Sequence, residues 1–209
     1  MFWTAVPTSA SPRKLDWTDL QPKLPPLADP LNKLGFNRRT DFETIIYVRN
    51  LSARDRKNPD NRQALVDAKR FERQFRKAGL DIDALNRAYV AWTEEIKRRG
   101  TIVRSDLDGE IRIAGYLLPL EFSEGGVSDF LLVPYVGACI HVPPPPPNQI
   151  IFVRASKKFV VRDIFTGAWV TGKISAKALK RKLMLVDGSA DIPIGYTITD
   201  AKIREYKPR

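Results

Sequence analysis

Very little in this chain carries reactive side-chain chemistry. A single cysteine, Cys139, excludes an internal disulfide. A single histidine, His141, excludes zinc motifs built on paired histidines and restricts acid–base catalysis sharply. No glycine-rich phosphate loop and no Ser/His/Asp arrangement can be read. No run approaches the roughly 18 apolar residues that cross a membrane as a helix. Carboxylates are also short: 24 Asp and Glu stand against 35 Lys and Arg, a net charge of +11. That balance favours acidic partners, whether anionic lipid, nucleic acid or an acidic protein face. With 43% hydrophobic and 28% charged residues, the composition is globular rather than disordered.

What is present is concentrated in one stretch. Residues 130–148 read FLLVPYVGACIHVPPPPPN. An apolar strand delivers Cys139 and His141, two residues apart, to its end, and Pro143, Pro144, Pro145, Pro146 and Pro147 follow with Asn148. Strand residues i and i+2 face one side. A thiolate and an imidazole there would supply two ligands to zinc or copper(I), the only cofactors the sequence suggests. A structural zinc site takes four, so Glu121, Asp129, Met184 or a partner would have to complete it. The plainer alternative is a buried cysteine beside a hydrogen-bonded histidine. A Cys–His nucleophilic pair is disfavoured, because same-face strand neighbours lie about 6–7 Å apart. The five prolines favour polyproline II, either as a docking strip with Asn148 for a partner or as a rigid connector.

Three segments follow from composition. Residues 1–37 form a proline-rich arm, with Leu15, Trp17 and Leu20 as anchors to the body. Residues 38–100 are helical. Thr40–Glu43 reads as a capping box. Asn58, Pro59 and Gly79 bound a second helix, and Asp81 and Gly100 a third, joined as a helical hairpin. Residues 101–209 alternate as short strands: 110–120, 127–140, 150–153, 159–161, 168–174, 182–186, 195–199 and 201–206, with Ser175–Lys182 as a helical turn or hairpin tip. The fold expected is α+β, a helical segment followed by a small OB-like antiparallel β-barrel. From residue 151 onward, 13 Lys/Arg face 5 Asp/Glu, interleaved with Phe152, Phe159, Phe165, Trp169 and Tyr196. On such a barrel that mixture would suit single-stranded nucleic acid, although core packing is the simpler use of the aromatics.

The segments GYLLPLEF (115–122), FLLVP (130–134), Cys139 with His141, and the proline tail together resemble the bacterial domain-of-unknown-function family 3299. The resemblance implies an exported, periplasmic accessory protein, non-enzymatic, associated with an ABC-type transport system or metal uptake. Family sequences can carry Cys-x-x-Cys where this chain has Cys139-Ile140-His141. The start, MFWTAVPTSASPRK, has too short an apolar part for a secretory signal. Either the protein is cytoplasmic or the signal is removed or lies upstream, and the resemblance favours the second. Expected partners are a membrane transport component, an acidic protein or an anionic membrane surface, with single-stranded nucleic acid as the alternative.

Overall fold

The strands that were expected separately close on one another. The computed structural model describes residues 11–121, 123–137, 144–161, 166–185 and 188–206. Two compact units divide them: residues 24–96, and a unit made of the N-terminal residues up to Lys23 with Lys97 onward. The arm is thus split. Its first part, through Leu15, Trp17 and Leu20, joins the barrel core as expected.

In the helical unit, α1 spans Gly35–Asn50, α2 Arg62–Lys77 and α3 Ile82–Gly100, the last crossing the division between units. α1 starts five residues before the expected capping box. The Thr40 hydroxyl donates to the Phe36 carbonyl inside the helix rather than capping it. α2 ends where expected but begins at Arg62, three residues after the expected Pro59, because Asn58 and Pro59 start a 3₁₀ turn that leads into it. The Asn58 side chain accepts from the Asp60 N–H, Pro59 opens a single 3₁₀ turn, and Gly79 at φ +69 ends the helix. The Leu80 N–H reaches the Phe75 carbonyl and the Gly79 N–H that of Arg76, a Schellman closure. Asp81 caps α3 by accepting from Asp83 and Ala84 at 2.9 and 3.0 Å. The Ala84 N–H, chiefly, holds the Asp81 carboxyl below its usual pKa. Phe42, Ile45, Phe75 and Ile82 are buried together, with Tyr89 edge-on to Phe42.

In the other unit, β1 is Arg13–Lys14, β2 Gly109–Pro119, β3 Val127–Val133, β4 Ile151–Phe159, β5 Thr166–Ser175, β6 Leu179–Leu185, β7 Gly188–Ile194 and β8 Tyr196–Glu205. The order β2-β3-β4-β8-β5 closes through β2–β5 pairing. This is a five-stranded OB-like barrel. It is mixed rather than wholly antiparallel, because β4 and β8 run parallel and the chain returns through β5 and a β6–β7 hairpin between them. Inward residues include Ile111, Ile113, Leu117, Phe130, Leu132, Val170 and Ile198, each fully buried. Each such side chain contributes about 1.5–3 kcal/mol relative to exposure. Surface ion pairs, at roughly 0–1 kcal/mol, decide little by comparison.

Two expected strand pairs prove to be single bulged strands. β4 runs through 151–159, and β8 continues across Asp200 at φ +52. β3 stops at Val133 instead of reaching Ile140, and Gly137 at φ +82 marks the turn beyond it. The span Ser175–Lys182 is neither a helical turn nor a tip; it leads into β6.

The outer face of β3 and β4 is not open. Leu118, Leu131, Val133 and Phe152 are buried there with Ile192 and Ile194 of the hairpin. Arg181 of β6 lies over the Phe152 ring, 4.9 Å from its centroid.

Candidate anion-docking face

The strand register places the exposed cations together. β1 lies parallel to β2, pairing Lys14 with Arg112. It is held there by the Leu15 N–H on the Arg112 carbonyl at 2.9 Å and by the Trp17 indole N–H on the Ala114 carbonyl at 2.7 Å. Across β2, β5 and β8 the outward positions form rows: Arg112, Thr171 and Lys202; Ala114, Trp169 and Arg204. Lys173, opposite Glu110 and Thr199, forms a third. The intervening residues, Ile113, Ala168, Val170 and Ala201, are buried inside. The face therefore presents Lys14, Arg112, Lys173, Lys202 and Arg204, all exposed, against one carboxylate, Glu110, in these rows.

Trp169 organises the centre. The Arg112 guanidinium lies 4.4 Å and the Lys14 ammonium 5.7 Å from its ring, and Tyr206 meets it edge-on at 6.1 Å. The indole attracts both cations, which holds like charges side by side. Neighbouring like charges on paired strands repel. An anion placed between them would relieve that repulsion.

The opposite wall is charge-compensated. Arg154 forms a two-point pair with Asp129, both contacts 3.0 Å. That hydrogen bonding, first among the causes, raises the Arg154 pKa.

The residues singled out from sequence separate. Cys139, His141 and Pro143 lie outside the described residues. Among the described residues no group of three or more His, Cys, Asp or Glu could hold a metal ion. Pro144 and Pro146 are exposed, Pro145 is buried and Pro147 is half-buried. The Pro147 carbonyl accepts from the Ile150 and Gly195 N–H groups. Asn148 is buried, 2% exposed, and donates its amide to the Arg99 and Ile102 carbonyls at 2.9 and 3.1 Å. It ties the proline strip to the end of α3, with Pro144 and Pro146 the solvent-facing ones among its described residues.

Sequence reasoning did not find this cationic face. The aromatic–cationic interleaving after residue 151 was the available signal. Aromatics there were expected in the core, and Tyr196 is. Trp169 instead faces outward, because its neighbours Ala168 and Val170 take the inward positions.

By fold the protein is an α+β chain with an OB-like barrel. The chain belongs to the family described as "Protein of unknown function (DUF3299)", which matches residues 17–205. It is similar to the crystal structure of a DUF3299 family protein from Pseudomonas aeruginosa PAO1. The two are 25% identical with a TM-score of 0.50, over 96% of this chain and 99% of that one. No curated protein matches the chain.

Proposed function

We propose that this chain is a non-enzymatic binding protein that docks on an anionic membrane surface through the outer face of β1, β2, β5 and β8. The observation that carries the reading is the clustering of Lys14, Arg112, Lys173, Lys202 and Arg204 around Trp169. A basic residue near an anionic leaflet contributes about 1 kcal/mol, so five together suffice for reversible docking. The family resemblance adds an exported, periplasmic setting and an accessory role beside a transport system. Metal binding has weaker support: Cys139 and His141 are two donors where a structural site takes four.

Single-stranded nucleic acid fits less well. OB-type barrels use the face of their second and third strands, here β3 and β4, and the β6–β7 hairpin covers it. The Trp169 ring is already in contact with Arg112 and Lys14.

Co-sedimentation with phosphatidylglycerol-containing vesicles tests the proposal. Binding is expected at low salt, weakening steeply as ionic strength rises, with none to neutral phosphatidylcholine vesicles. Equal binding to neutral vesicles, or none to anionic ones, would overturn it.

A further inference from the structure

Beside the docking face, β4 and β8 part. Their pairing ends at Ala155 with Ala201. On the other side, β3 pairing passes from Arg154 directly to Phe159, so residues 155–158 stand opposite Ser128 alone. This large bulge opens a groove of about 320 Å³, lined by Ser156, Lys157, Lys158, Phe159, Ala201, Lys202 and Ile203. The Ser156 hydroxyl donates to the Ala201 carbonyl at 3.2 Å, which fixes it at the seam. Three lysines and a serine thus stand among the lining residues, and no carboxylate does. Lys158 also borders a neighbouring depression whose lining includes Glu121 and Asp129. Lys157 and Lys202 have no such neighbour in the groove lining.

We infer that this seam is a subsite for a phosphomonoester. Such a group carries about −1.5 to −2 charge and three strong acceptor oxygens. Three separately mounted lysines match that better than they match a singly charged carboxylate or phosphodiester. Lysine serves phosphate as a point charge and needs no planar fork. Phe159 and Ile203 give the groove an apolar wall for whatever bears the phosphoryl group. Lys202 belongs to both the groove and the docking face, so a headgroup bound here lies at the edge of the docked surface. The membrane source of the phosphoryl group rests on the docking proposal; the subsite itself does not.

The test pairs two probes. Inorganic phosphate is titrated into ¹⁵N-labelled full chain, and sedimentation compares phosphatidic acid with phosphatidylglycerol vesicles of matched surface charge. Saturable shifts confined to residues 156–159 and 201–203 are expected. Phosphatidic acid should also be preferred severalfold, because only its phosphomonoester brings the additional charge and free acceptor oxygen. Both effects should disappear in the Lys157→Gln/Lys158→Gln variant, whereas Lys180→Gln/Lys182→Gln, with equal charge loss, should keep them. Local phosphate shifts without preference for phosphatidic acid would assign the subsite to a soluble phosphorylated ligand. Vesicle binding without local shifts or preference would overturn the subsite and leave the docking face standing. Absence of binding to any anionic vesicle would overturn the docking proposal alone.

Discussion

Replacing Tyr196 with phenylalanine is expected to destabilise the barrel unit by about 2–3 kcal/mol. Tyr196 is fully buried, and its hydroxyl joins two distant segments. It donates to the Leu20 carbonyl and accepts the Arg104 N–H, each at 2.7 Å. Arg104 in turn reaches the Asp19 carbonyl at 2.7 Å and pairs with Asp106. Phenylalanine preserves the ring's packing but leaves an acceptor and a donor without their partner. A buried group left so costs more than an ordinary hydrogen bond contributes. Urea denaturation checks the magnitude; a midpoint unchanged from wild type would contradict the account. The same residue sets an alkaline limit. Burial, outweighing the lowering by the Arg104 amide, raises the phenol above its ordinary value of 10.0. A raised acid binds its proton more tightly in the folded state. Its contribution is therefore complete below the unfolded-state pKa and is lost as pH rises through the folded one. That part of the alkaline loss should be missing in Tyr196→Phe.

Gly172→Ala should destabilise by about 1–3 kcal/mol through overpacking. A Cβ on Gly172 would lie 2.6 Å from the Thr199 carbonyl oxygen, 2.8 Å from Ile198 Cγ2 and 3.1 Å from Ala201 Cα. Two of these three atoms are backbone, which cannot swing aside as a long side chain would. The position coincides with the register break between β5 and β8 at Thr171–Lys173. The bulge at Asp200 brings β8 inward there, and the absent side chain of Gly172 makes room for it. Thermal unfolding should show a midpoint lower by about 2–4 °C for each kcal/mol. A variant that melts with wild type would show that the seam yields easily.

These two sites also show where sequence reading succeeds and where it stops. α2 and α3 were legible because their signals are local: Asn58, Pro59, Gly79 and Asp81 act within a few residues of themselves. Thr40 misled for the same reason. Its side chain fits a cap, but the helix had already begun at Gly35, and only the geometry of the preceding turn reveals that. Strand positions were legible from alternation. Their continuity was not, because β4 and β8 each contain a bulge that interrupts the period. β7 went unseen: Gly188, Asp191 and Pro193 have poor strand propensity, and pairing with β6 and burial of Ile192 and Ile194 make it a strand.

The candidate face was beyond local reading altogether. Lys14, Arg112, Trp169 and Arg204 are spread over most of the chain, and only closure of β2 on β5 and of β5 on β8 sets them side by side. Composition announced a cationic protein without saying where the charge gathers. The Cys139–His141 pair drew attention through rarity and lies outside the described residues.

The docking face is tested most directly by measuring vesicle partition of Lys173→Gln/Arg204→Gln beside a charge-matched control, Lys33→Gln/Lys57→Gln. Neither substituted face residue stacks on Trp169, so the indole cluster stays intact. On phosphatidylglycerol-containing vesicles at low salt, the face variant should lose about thirtyfold in partition, at roughly 1 kcal/mol per charge, while the control stays close to wild type. Equal losses in the two variants would mean that net charge alone drives binding, contradicting a docking face on the barrel.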